Sequence, residues 1–239
     1  MKKAFILGST GQDGSYMCEL LLKKKYKVYA LVRKSATGNT KNIDHLINDK
    51  KISDKSFFLV KGDLNDHNSI RNIISSVKPN EIYNFADQDH VGWSFAIPSY
   101  SLMTTSHSLI NILESIKSTN KNIKYFHPLS SNMFGKTKLK MQNESTPFNP
   151  QSVYAISKVT CFHLSNLYRN VYGLKIYNTI YSNHESPRRS EEYVTKKIVK
   201  HVSEIFYKKR LTLELGDISA KIDWGYAKEY IEYTHKIMQ

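Results

Sequence analysis

The sequence predicts a doubly wound α/β protein, with a parallel sheet covered by helices on both faces. Three observations carry that prediction. Short apolar runs bounded by turn residues alternate with longer stretches of helical periodicity. The first run opens through a glycine-rich turn directly into a helix. A chain of 239 residues with 40% apolar content is also long enough to bury a core of that size.

Taken in order, the strand-like runs are residues 4–7, 27–32, 56–60, 81–85, 124–127 and 175–181. Between them, apolar residues recur at helical spacing over 16–22, 70–77, 109–116 and 154–172. Residues 35–42 (SATGNTKN) form a polar loop after the second run, and 136–150 form a longer one that contains Pro147 and Pro150. Past residue 181 the pattern loosens through HESPRRSEEY. It resumes as a helix over 194–207, a short strand at 213–215 and a last helix over 227–238.

Lys and Arg number 35 against 21 Asp and Glu, a net charge of +14. The basic residues come singly or in twos and threes along the whole chain, so the charge reads as a solvated surface and no nucleic-acid partner is expected. Cys18 and Cys161 are the only cysteines, each in a helical segment; this suits a reducing, cytoplasmic setting and offers no disulfide framework or metal site. The apolar run after Met1-Lys2-Lys3 stops at Gly8, too short for a secretory leader. No run approaches the roughly 20 apolar residues of a spanning helix, so no membrane partner is expected.

The turn after the first strand reads Gly8-Ser9-Thr10-Gly11-Gln12-Asp13-Gly14. Its glycines permit a tight turn and close backbone approach, so that a pyrophosphate can rest on free N–H groups at the positive end of the following helix. The second strand ends at Val32-Arg33-Lys34, where an NAD-preferring fold places an acidic residue; a basic pair there favours the 2′-phosphate of NADP. Asp63, in Gly62-Asp63-Leu64, suits the adenine edge. Tyr154 and Lys158 stand one helical turn apart in YAISK, downstream of Ser130 and Ser131. A cation near the phenol favours tyrosinate, so Tyr154 is expected to have a lowered pKa and to take a proton from a sugar hydroxyl. The expected division is a Rossmann-like dinucleotide-binding domain with the Tyr/Lys pair over 1–181 and a partial, smaller C-terminal substrate-binding lobe over 182–239.

These features, with the strings TGQDGSY from Thr10, EIYNFA from Glu81, NHESPRR from Asn183, VTKKI from Val194 and DWGYAKEY from Asp223, resemble the extended short-chain dehydrogenase/reductases and, within them, the GDP-mannose 4,6-dehydratase family. The resemblance implies NADP contacts at Gly8, Ser9, Thr10, Gly11, Gln12, Asp13, Gly14, Arg33, Asp63, Leu64, Phe85, Ala86, Asp87, Gln88, Asp89, Tyr100, Lys158, His184 and Arg189. It implies GDP-sugar contacts at Asn183, Val194 and Lys197, and a role in subunit association for residues 33–42. It further implies catalytic roles for Ser130, Tyr154 and Lys158, lyase chemistry, and self-association or pairing with an intact family member.

Against the family pattern, Asn132 stands where the dehydration base is a glutamate, and a neutral amide cannot abstract a proton. Asp87 and Asp89 stand where the family has small neutral residues, and carboxylates beside a pyrophosphate are repulsive unless paired. Pro128, Leu129, Ser106, Ser108, Ser190 and Ile222 also depart from it, and family members extend past the DWGYAKEY segment. The resemblance therefore implies a GDP-hexose-binding protein with impaired dehydration. A nucleotide-sugar 4-epimerase or ketoreductase, needing only Ser130, Tyr154 and Lys158, and a non-catalytic partner subunit are the alternatives.

Overall fold

The innermost strand of the sheet is β1 (Lys3–Leu7), whose residues Ala4 to Leu7 have no exposed surface. In this computed structural model, residues 1–239 are described except Thr37, Lys140 and Arg210. Thr37 in the loop 35–42 and Lys140 in the loop 136–150 thus lie outside the described residues.

The chain continues through α1 (Gln12–Lys23), β2 (Lys27–Val32), a short α2 (Asp44–Ile47), β3 (Phe57–Lys61), α3 (His67–Val77) and β4 (Glu81–Asn84). Two short helices, α4 (Val91–Ala96) and α5 (Pro98–Leu102), lead through a π-helical turn at Met103–His107 into α6 (Ser108–Thr119). Then come β5 (Lys124–Ser130), a 3₁₀ turn at Ser131–Phe134, α7 (Val153–Tyr172) and β6 (Lys175–Tyr181). The last part holds β7 (Asn183–Glu185), α8 (Val194–Phe206), β8 (Trp224–Tyr226) and α9 (Ala227–Ile237).

The main sheet has six strands in the order β3-β2-β1-β4-β5-β6, every neighbouring pair parallel. Strand alternation divides the core between its faces. Phe5 and Leu7 pack with Ile70 and Ile74 of α3, Leu109 and Ile112 of α6, and Cys161 and Tyr168 of α7. Ala4 and Ile6 pack with Met17 and Leu21 of α1 and with Ala227 and Ile231 of α9. Both faces are therefore covered, as the near-continuous apolar strands require. The chain order reverses between β1 and β4, and in such sheets ligand crevices open beyond the strand ends at that point.

Residues 213–215 do not form the strand that their alternating LTLEL setting predicts. Leu211 and Leu215 are exposed and no strand among the described residues pairs with the segment, so the pattern has no ladder to satisfy it. The second sheet is instead the parallel pair β7 and β8, with Asn183 opposite Trp224 and Glu185 opposite Tyr226.

Candidate functional site

The glycine turn is built by steric necessity. Gly8 has φ +74°, and a Cβ there would lie 2.5 Å from the Phe85 carbonyl at the end of β4. A Cβ on Gly14 would lie 2.1 Å from the Gly8 oxygen, so α1 can sit this close only with glycine at that position. Helices α3 and α7 begin with side-chain caps from Asp66 and Ser152, whereas α1 starts at Gly11 with none. Its first-turn N–H groups are thereby left to an external acceptor.

A cleft of about 340 Å³ lies over this turn. Gly8, Thr10, Gly11, Gln12, Asp13 and Gly14 form its floor, and Asp63, Leu64, Phe85, Ala86, Asp87, Asp89 and Arg189 continue the lining. Arg33 and Tyr100 close one end, the guanidinium donating to the phenol oxygen at 3.3 Å. Asn39, Asn65 and Thr104 also line it and were not expected from sequence; Asn65 donates to the Thr104 hydroxyl at 3.1 Å. Four expected residues do not line it: Lys158 and His184 stand in an adjoining cleft, and Ser9 and Gln88 are buried. Ser9 is buried and donates to the Leu31 carbonyl at 2.7 Å, tying the turn to β2. Gln88 is buried against α5, accepting from Ser101 at 2.9 Å.

A second cleft, of about 380 Å³, adjoins the first and shares Asp13, Phe85, Asp87, Asp89 and Arg189 with it. Ser130, Asn132, Tyr154, Lys158, Asn183, His184 and Val194 line it; Lys197, one turn further along α8, does not. Tyr181, Ser182, Tyr193 and Trp224 also line it, none of them singled out as a site residue from sequence. The exposed Asn132 amide donates to the Ser130 hydroxyl at 3.2 Å, so the position meant for a base hydrogen-bonds its neighbour.

Where the clefts meet, Lys158 forms an ion pair with Asp87 and donates to the Pro128 carbonyl at 2.6 Å. Both side chains of the pair are almost fully buried, at 4% and 5% exposure. Burial pulls the Lys158 ammonium down, but Asp87 and Tyr154 outweigh it and hold the group above the ordinary lysine value. His127 lies beneath, its Nε2 3.8 Å from Asp87. Burial pushes the imidazole down to about 4 despite the carboxylate, so it is neutral. His127 Nε2 and Asp87 Oδ1 are both buried without a hydrogen-bond partner among the described residues.

This environment corrects the expectation for Tyr154. Its phenol is held above, not below, the ordinary tyrosine value: burial acts first, Lys158 and Ser130 oppose it, and Asp89 and Asp87 add to it. The expected repulsion from the two aspartates is removed by pairing, Asp87 with Lys158 and Asp89 with Arg189 at 3.5 Å. The thiols take no part: both cysteines are buried, and burial pushes Cys161 up to about 12.

A polar lacing joins the clefts. Gln12 donates to the His184 carbonyl at 3.1 Å and accepts from Ser186 at 2.8 Å. Asp13 meets His184 Nε2 at 2.8 Å; burial lowers that imidazole, but Asp13 more than offsets it. Arg188 lies over the Tyr16 ring at 4.1 Å and pairs with Glu19, and so belongs to the α1 scaffold. Its neighbour Arg189 stacks on Tyr193 at 3.3 Å and faces both clefts.

The family model for GDP-mannose 4,6 dehydratase matches residues 5–239. The chain belongs to the GDP-mannose 4,6-dehydratase family. It is 41% identical over 241 residues to GDP-mannose 4,6 dehydratase of Drosophila melanogaster, covering 100% of this chain and 61% of that protein. It is 42% identical over 243 residues to GDP-mannose 4,6 dehydratase 1 of Arabidopsis thaliana, covering 100% of this chain and 67% of that one. The chain thus spans about three-fifths to two-thirds of the length of these family members. In fold it is similar to a dTDP-glucose 4,6-dehydratase double mutant from Streptomyces venezuelae with NAD bound (TM-score 0.84, 23% identity, 98% of this chain and 70% of that one). It is equally similar to UDP-glucose 4-epimerase from Thermotoga maritima with UDP-glucose (TM-score 0.84, 18% identity, 99% and 73%). Among the described residues no helix is long and apolar enough to cross a membrane.

Proposed function

We propose that this member of the family binds NADP along the glycine-turn cleft and a GDP-hexose in the adjoining cleft, with its dehydration step impaired. The observation that carries the reading is that the two clefts share Asp87, which reaches from the glycine-turn cleft to Lys158, one turn from Tyr154 in the adjoining one. The uncapped start of α1 and the glycine cradle fit a pyrophosphate, and Arg33 in the lining of the same cleft fits a 2′-phosphate. The bound nicotinamide would supply an acceptor that takes a hydride from the sugar and later returns it.

The chain's own residues then have distinct tasks. Ser130 and Tyr154 hydrogen-bond the sugar hydroxyl, Asn183 and Val194 bound the sugar, and Asp63 meets the adenine edge. Asn132 cannot take a proton from carbon, which removes a general-base contribution on the order of 10²–10⁴. Residues 1–181 form the dinucleotide-binding part and 182–239 a partial substrate lobe, and the protein works in the cytoplasm as an oligomer. A second reading, a non-catalytic partner of an intact dehydratase, is supported by the engagement of Lys158 by Asp87.

Calorimetric titration with NADP⁺, NAD⁺ and GDP-mannose, followed by product analysis, tests the proposal. Expected are tighter binding of NADP⁺ than NAD⁺, binding of GDP-mannose, and formation of 4-keto-6-deoxy product lowered on the order of 10²–10⁴ against a glutamate-bearing relative. Failure to bind either nucleotide, or dehydration at the relative's rate, would sink it.

A further inference from the structure

We infer that Asp87 is a positioning residue that holds Lys158 in a buried ion pair and so diverts its charge from Tyr154, weakening the first proton transfer as well as the dehydration step. The inference rests on the proposed function only for its consequence; the geometry stands without it. Lys158 has three N–H donors, and two are taken by Asp87 and the Pro128 carbonyl. A cation stabilises tyrosinate through its field, and a carboxylate bonded to that cation opposes it.

The groups facing the phenol can be taken element by element. From α7 comes Lys158, with the buried Cys161 thiol acting on that ammonium, and from the segment after β4 come Asp87 and Asp89. From β5 come Ser130 and the neutral His127, and from the segment before α8 come Arg189 and Tyr193. The two cations in this set are both matched, Lys158 by Asp87 and Arg189 by Asp89 at 3.5 Å and Glu185 at 3.4 Å. Asp89 is half exposed, at 55%, and its field is screened by water, whereas the pair of Asp87 with Lys158 lies out of solvent. With three carboxylates against two cations, the charge around Tyr154 is not net positive, whereas proton acceptance is favoured by a net positive field. In the proposed reaction Tyr154 Oη would take the proton of the sugar hydroxyl while a bound nicotinamide supplied the hydride acceptor. A phenol that shares its cation with a carboxylate takes that proton less readily, and the oxidation slows with it.

The test needs no cofactor. Tyrosine ¹³Cζ resonances are followed against pH in the full chain, with Tyr154→Phe identifying the signal of interest. Asp87→Ala and the isosteric Asp87→Asn are both expected to move the Tyr154 titration to lower pH, and the match between them separates loss of charge from loss of shape. A midpoint unchanged in both variants, or a Tyr154 that stays protonated up to the unfolding pH in the variants as in the parent, overturns the inference. Because no nucleotide is present, that result leaves the binding titrations to judge the proposed function separately.

Discussion

Lys158, on the helix after the fifth strand, and Asp87, just past the fourth, form a buried ion pair at the seam between two clefts. They are 71 residues apart in sequence. The pair decides what the Y-x-x-x-K motif can do here: Lys158 is bound to a carboxylate and not presented to a ligand alone.

The stability of the fold should reflect this. Replacing Lys158 by Met strands a carboxylate in the interior and should destabilise the protein by about 3–5 kcal/mol. Adding Asp87→Leu to that variant should restore most of the loss, since an apolar pair of similar volume costs little. Urea unfolding of the two single variants and the double variant measures the coupling, and additive effects would deny it.

His127 gives a pH signature. Its folded pKa, about 4, lies below the ordinary value of 6.5, so the unfolded chain binds a proton that the folded chain refuses. This contribution is complete above pH 6.5 and is lost as pH falls toward 4, an effect of roughly 3 kcal/mol at 1.36 kcal/mol per pKa unit. His127→Gln should flatten the stability curve across that window and leave it unchanged above neutral pH.

Two glycines with similar positive φ should respond differently to alanine. At Gly173 (φ +69°) a methyl group meets nothing within 4 Å, and only the backbone penalty of about 1–2 kcal/mol applies. At Gly8 (φ +74°) the methyl overlaps the Phe85 backbone, which adds about 1–3 kcal/mol of overpacking. Equal unfolding midpoints for the two variants would contradict the close approach of turn and strand.

Two changes, not one, should be needed to recover dehydration. Asn132→Glu supplies a base for the later step but leaves Lys158 paired with Asp87, so product should stay near the parent level. Asp87→Ala with Asn132→Glu should exceed the single change by on the order of 10²-fold, the lower end of what a positioned acid or base contributes. Conversion of GDP-mannose, followed by mass analysis, distinguishes them.

Much of the sheet was legible because strand and helix periods are local. The runs at 27–32 and 175–181 coincide with β2 and β6, and the glycine turn announced the start of α1. The segment 213–215 misled for the converse reason: alternation marks a potential strand, but a ladder needs a neighbour. The pairs Asp87 with Lys158 and Asp89 with Arg189 were beyond reach, because strand order and the placement of α7 bring distant residues together. Asn132 was visible as a departure, whereas its hydrogen bond to Ser130 needed the bend into the 3₁₀ turn.

The lacing of Gln12 and Asp13 to His184 and Ser186 has a mechanical consequence. The floor of one cleft is bolted to the strand that walls the other, and His184 is stacked in turn on Tyr230 of the last helix at 4.7 Å. The two compartments therefore share one brace: the residues that shape the phosphate turn are the same ones that hold the far wall in place.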